Sequence, residues 1–250
     1  TREEGYLIKI GNWYYFLEDY ISGGIEISRE KAEWQHFVSL GRLTALVHNA
    51  LSGFKPEGEK EELLAIDIAS AEGDFKRLRE ELISQRQHSR AEELFLRHAD
   101  FILSQVGSLR DNLPRSRYRQ LPTTVLHGDT GVVNIKWQDH EILALFDWER
   151  ARSGQARIEE LKNTLLSAGV EVGRIYRRED LIGLLKGYQL HLIRKLIPEE
   201  LEAIPYILGP GTFLWDMAKW FILRREDLDR QDSPYEMVQR IISEFHKVVD

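Results

Sequence analysis

Two carboxylates and one amide fall close together in the middle of the chain: Asp129, Asn134 five residues later, and Asp147 eighteen after the first. Phosphoryl transfer needs what such a set can supply. One carboxylate can orient an attacking hydroxyl and accept its proton. A second carboxylate and the amide offer hard oxygen ligands to magnesium, which neutralises phosphate charge. Each residue alone has a plainer role, since an Asp before a helix caps it and an Asn in a hairpin forms the turn. Spacing and setting together favour the shared role.

The setting is a small β unit. The run Thr123-Thr124-Val125-Leu126 leads into His127-Gly128-Asp129, and Ile142 to Phe146 leads into Asp147-Trp148-Glu149. Both runs are rich in β-branched or large apolar residues and too short for helices, so strands are predicted. Between them Asn134-Ile135-Lys136-Trp137 alternates polar and apolar, and Gln138 to Glu141 reads as a hairpin turn. The three polar groups thus lie at strand ends and loops, where rigid elements can aim them at one point.

Other elements must hold this unit. Tyr6 to Ile10, Gly11-Asn12 and Trp13 to Leu17 predict a β-hairpin, with Gly23-Gly24 as a joint after it. From Ser28, the expected N-cap, Trp34, Phe37, Leu40, Leu43 and Val47 recur at helical spacing up to His48. Charged helix is expected over Glu59 to Arg86, an amphipathic helix over Ser89 to Leu109, and a basic turn over Arg115 to Arg119. Beyond Asp147 the chain reads as helical from Gln155 to Ala168 and from Arg178 to Leu196. Pro205 and Gly209-Pro210-Gly211 predict a break. Thr212 to Glu226 is apolar almost all round and predicts a central buried helix, and Pro234 starts the last one.

Composition narrows the classes. The 250 residues suit one large domain or two small ones. A net charge of -7 disfavours bulk nucleic-acid binding. The absence of cysteine excludes disulfides, thiolate zinc sites and a cysteine nucleophile, and fits a reducing cytoplasm. Without an apolar run of about 18 residues, no transmembrane helix and no membrane partner are expected. Six tryptophans and nine tyrosines point to a packed fold rather than a disordered chain.

His127-Gly128-Asp129, Asn134 and then Phe146-Asp147-Trp148-Glu149 resemble the signature of the aminoglycoside phosphotransferase and choline kinase-like family. Tyr15 to Gly23 is similar to that family's last N-lobe strand and hinge, and Leu40 to His48 to its first C-lobe helix. The resemblance implies a protein-kinase-like α+β fold, with residues 1–24 ending an N-lobe and residues 25–250 forming a helical C-lobe. It implies an ATP- and magnesium-dependent phosphotransferase acting on a hydroxyl of a small acceptor. Asp129 is then the catalytic base, and Asn134 and Asp147 are the magnesium ligands. The backbone of Asp19, Tyr20 and Ile21 meets the nucleotide. His127 braces the catalytic loop, and Glu159 takes the place of the Asp that steadies it.

The sequence also departs from that family. Its N-lobe starts well upstream, with a glycine-containing loop and a strand lysine. Here a single hairpin precedes the hinge, and Lys9 comes too late to be that lysine. The expectation is either a fragment or a reduced, non-catalytic, pseudokinase-like scaffold. Thr130-Gly131-Val132-Val133 replaces the usual Leu-His-Pro-Gly. On the acceptor side, Asp216 either faces a pocket or is solvated, Glu149 either supports the site or lies on the surface, and Trp215 belongs to the core or to a substrate cage. A metal-dependent hydrolase built on His127, Asp129, His140 and Asp147 is the weaker alternative.

Overall fold

A computed structural model describes residues 7–10, 13–16, 21–28, 31–54, 68–169 and 178–249. Asp19, Tyr20 and the start of the charged region at Glu59 lie outside the described residues. The first strands, β1 (Leu7–Ile10) and β2 (Trp13–Phe16), pair antiparallel with Leu7 opposite Phe16 and Ile10 opposite Trp13. Helix α1 (Trp34–Ala50) starts later than the Ser28 cap predicted. The N–H of Glu33, just before its first turn, donates to His36 Nδ1 at 2.9 Å, tying the cap position to the helix it opens.

Next come α2 (Ile68–Ile83), α3 (Arg90–Asn112) and α4 (Arg115–Tyr118), the last a single turn where a basic turn was expected. Ser89 and Glu92 cap α3 reciprocally. Ser89 Oγ accepts from Glu92 N at 3.3 Å, and Glu92 Oε2 accepts from Ser89 N at 2.9 Å. The β unit follows as β3 (Thr123–Leu126), β4 (Ile135–Gln138), β5 (Glu141–Leu145) and β6 (Arg152–Ala156). Strands β4 and β5 form the predicted hairpin, with Gln138 opposite Glu141. Strand β6 pairs antiparallel with β3, so Gln155 and Ala156 are strand rather than the start of a helix. The helix that follows, α5 (Glu159–Gly169), begins after that pairing ends.

Helices α6 (Arg178–His191), α7 (Pro198–Tyr206), α8 (Thr212–Met217), α9 (Arg225–Arg230) and α10 (Asp232–Val249) complete the chain. The break predicted at Pro205 and Pro210 does not occur. Residues Ile207–Gly211 and Ala218–Leu223 are π-helical and carry the chain on without interruption from α7 through α8. The wider i→i+5 turn accommodates Pro210, which has no N–H for the regular ladder. The expected burial of this stretch holds for Phe213, Leu214, Met217, Trp220 and Phe221. Phe221 meets Phe95 of α3 with ring centroids 5.4 Å apart, and Phe95 stacks on Phe75 of α2. Each such side chain contributes roughly 1.5–3 kcal/mol of burial. Among the described residues, no helix is long and apolar enough to cross a membrane.

Candidate active site

Strand β3 delivers His127, Gly128 and Asp129 at its end, and β5 delivers Phe146 and Asp147 at its own. The peptide of Phe146 joins the two deliveries. Its N–H donates to the Asn134 carbonyl at 2.9 Å, and its carbonyl lies 2.8 Å from His127 Nε2. The Asp129 N–H donates to His127 Nδ1 at 3.3 Å, so Nδ1 accepts and Nε2 is the nitrogen that donates to Phe146. His127 is 1% exposed and packs edge-on to Trp148, with centroids 4.5 Å apart. Both ring nitrogens are engaged, which fits the bracing role and removes His127 as a metal ligand.

The loop from Asp129 to Asn134 closes on itself. The Asp129 carbonyl accepts from Gly131 N at 2.8 Å and from Asn134 Nδ2 at 2.9 Å. This commits the nitrogen of the Asn134 amide and turns its oxygen away from that bond, available to a cation. Asp147 lies in left-handed backbone space, φ 64 and ψ 61, and makes no side-chain cap to the 3₁₀ turn Trp148–Arg150 after it. A non-glycine residue there costs about 1–3 kcal/mol, a strain found where structure fixes a functional group. An amide oxygen and a carboxylate oxygen suit a hard cation that completes its shell with phosphates and water. Among the described residues no group of three or more His, Asp or Glu assembles as a metal site. His140 sits at the far turn of the β4–β5 hairpin, 3.4 Å from Glu33 Oε2. The hydrolase constellation therefore does not converge.

The brace expected at Glu159 belongs to the next residue. Glu160, 1% exposed, accepts the Gly128 N–H at 3.2 Å on each oxygen and the Thr130 hydroxyl at 2.5 Å. Consecutive helix positions point about 100° apart, so Glu159 faces elsewhere. Its carboxylate is 2.6 Å from Lys162 Nζ, an ion-pair distance without hydrogen-bond angles. Burial pushes the Tyr118 hydroxyl well above its usual value, and the Glu159 charge adds to that. Thr130 thereby joins the Gly128 N–H in tying the loop to α5.

Gly128 sits at φ 87, and a Cβ there would lie 2.4 Å from the Arg150 carbonyl oxygen. Only glycine lets the segment after Asp147 come this close. It brings Arg150 Nη1 to 3.6 Å from Asp129 Oδ2. No spacing rule pointed to Arg150, because the approach depends on two loops folded against each other.

Ile21 lies beside the unit. Its carbonyl accepts Lys136 Nζ at 2.8 Å, and Ile25 bridges to Trp137 of β4 through two backbone bonds of 2.7 and 2.8 Å. Glu149 is exposed in the 3₁₀ turn. Asp216 is buried, not solvated. Burial pushes its carboxyl up to about 6, against the pull of Lys219 and Lys162. Trp215 shares helix α8, with its side chain outside the described residues. A cavity of about 290 Å³, lined by His48, Thr124, Arg157 and Arg194 among others, opens at the start of β3, the end away from Asp129.

The profile of the phosphotransferase enzyme family matches residues 13–188, more than half of the chain. The chain is 26% identical over 223 residues to the homoserine kinase of Sinorhizobium medicae (strain WSM419), covering 88% of this chain and 61% of that protein. It thus spans about three fifths of the length of that curated relative. Among solved structures it is similar to an aminoglycoside phosphotransferase from Alicyclobacillus acidocaldarius subsp. acidocaldarius DSM 446. The TM-score is 0.67 at 14% identity, over 98% of this chain and 74% of that one. It is also similar to the amicoumacin kinase hAmiN in complex with AMP-PNP, Ca2+ and Ami, with TM-score 0.54 at 17% identity, over 91% and 63%. These likenesses show a kinase-like α+β fold.

Proposed function

This chain belongs to the phosphotransferase enzyme family, and from that premise we propose that it transfers the γ-phosphoryl group of ATP to the hydroxyl of a small acceptor. The observation that carries the proposal is the doubly held Phe146 peptide, which fixes Asp147 against the loop of Asp129 and Asn134.

Asp129 takes the proton of the acceptor hydroxyl as its oxygen attacks the γ-phosphorus. The bond from that phosphorus to the bridging oxygen breaks, and ADP leaves. His127 and Glu160 hold the loop so that this carboxylate does not drift. Asn134 and Asp147 would hold magnesium, which when bound neutralises phosphate charge. The backbone of Asp19, Tyr20 and Ile21 is assigned to the nucleotide, and residues 1–24 to the end of an N-lobe. By their names the relatives act on homoserine, aminoglycosides and amicoumacin, which supports a small-molecule acceptor here. A non-catalytic scaffold is not favoured by relatives that are named as kinases and phosphotransferases. The cysteine-free composition supports a cytoplasmic site of action.

Asp129→Ala tests the base. In the full-length protein, ADP release dependent on acceptor should fall about 10²- to 10⁴-fold, with an unchanged circular dichroism spectrum. Phosphorylation at the wild-type rate would remove Asp129 from the mechanism.

A further inference from the structure

Arg150 has no task in the transfer step, yet it stands beside the base. Its Nη1 is 3.6 Å from Asp129 Oδ2, and its side chain is 63% exposed against 21% for that of Asp129. A charge-assisted N–H···O bond measures about 2.7–2.9 Å, so this pair is loose. The backbone that carries it is not loose. The Arg150 carbonyl occupies the space a Cβ on Gly128 would need, and the 3₁₀ turn is closed by Ala151 N to Trp148 O at 2.9 Å. A fixed backbone therefore presents a planar fork of donors to the mouth of the site. That fork matches a carboxylate in two parallel hydrogen bonds.

Distance decides what the fork can reach. A base must come within about 2.6–3.2 Å of the hydroxyl it deprotonates. A guanidinium 3.6 Å from the same carboxylate then lies within a few covalent bonds of that hydroxyl. Resting on the phosphotransferase reading above, we propose that Arg150 is a specificity-determining residue of the acceptor site. It binds a carboxylate that the acceptor carries a few bonds from the hydroxyl to be phosphorylated. The acceptor class is a hydroxy acid or hydroxy amino acid, not a purely cationic alcohol. The incoming carboxylate takes the guanidinium from Asp129, which turns the base toward the hydroxyl when the right acceptor is present.

Matched pairs that differ only by the carboxylate test this: L-homoserine against 3-aminopropan-1-ol, and L-serine against ethanolamine. ADP release is measured with ATP and magnesium on the full-length protein. For at least one pair the carboxylate member should have the higher kcat/KM by about 10- to 100-fold. Arg150→Ala should collapse that ratio toward one, mainly through a higher KM for the carboxylate member, and Arg150→Lys should restore part of it. A wild-type ratio near one in both pairs overturns the inference and leaves the phosphotransferase reading standing. An Arg150→Ala loss of kcat equal for both members also overturns it, because it marks a clamp on the transferring phosphoryl group. No ADP release with any of the four alcohols overturns the inference, and the phosphotransferase reading then falls only if a wider panel of small hydroxyl acceptors is also silent.

Discussion

Arg150 and Arg157 flank strand β6, one just before it and one just after, and the protein uses them in opposite ways. Arg157 is spent on the fold. Its Nε and Nη2 donate to the two oxygens of Glu200 at 2.7 Å, and Nη1 and Nη2 donate to the carbonyls of Arg194 and Lys195 at 2.8 and 3.1 Å. The pair is 9% and 0% exposed. Arg150 keeps a loose partner and an open face. A buried guanidinium with four of its five N–H donors matched locks the β6–α5 turn to α7 and to the segment before it. An exposed one with donors to spare can still choose a ligand. Burial and donor accounting, not residue type, separate a structural charge from a functional one.

The largest effect should come from breaking the buried pair. Arg157→Met leaves the Glu200 carboxylate at 0% exposure without its partner, a change that costs about 3–5 kcal/mol. Urea denaturation should show it as a large fall in midpoint. The double variant Arg157→Met with Glu200→Leu should recover much of the loss, since no charge is then stranded. A single variant as stable as wild type would mean that the pair is incidental and the contrast with Arg150 is empty.

A smaller, pH-dependent effect sharpens the contrast, because the Arg157 charge reaches beyond its own pair. His48, 4% exposed, lies 2.8 Å from the Tyr188 hydroxyl through Nδ1. Burial, with the Arg157 charge adding to it, lowers its pKa from 6.5 to about 3. Between those values the unfolded chain binds a proton that the folded chain does not. Stability from His48 is therefore full above 6.5 and is lost as the pH falls toward 3, by at most about 1.4 kcal/mol per pH unit. Asp216 works in the other direction. Its raised pKa gives stability present below 3.8 and lost as pH rises through about 6. His48→Gln removes the first term and leaves the second. Its urea midpoint should fall less than that of wild type between pH 7 and pH 5. Parallel curves for the two proteins would show that His48 does not titrate as its burial requires.

The sequence carried the site further than it carried the framework around it. The placement of Asp129, Asn134 and Asp147 at strand ends and loops was legible because short strands with distinct ends bracket them. Glu160 was missed by one position. Nothing in the run Glu159-Glu160 says which of the two faces the loop. The continuous path through Pro210 was missed because proline ordinarily stops a helix, and a π turn is a tertiary accommodation with no local signal. Arg150 lay beyond sequence reasoning for a related reason. Its place depends on Gly128 admitting a backbone from twenty-two residues downstream, a contact that no pattern of side chains announces.

The smallest expected effect is the one that tests the contrast most directly. Arg150→Met removes a guanidinium whose ion pair is longer than a hydrogen bond and open to water. Exposed pairs of this kind are worth about 0–1 kcal/mol, and salt screens them further. The approach to Gly128 is made by the Arg150 backbone, so the packing of the 3₁₀ turn should survive. The melting temperature should therefore move by no more than about 1–3 °C, far less than for Arg157→Met. If the two methionine variants lose stability equally, Arg150 is a structural residue that happens to lie near the base. If Arg150→Met is as stable as wild type but loses its preference for carboxylate-bearing acceptors, the charge was held at the site for the ligand, and its loose bond to Asp129 is what leaves it free to bind one.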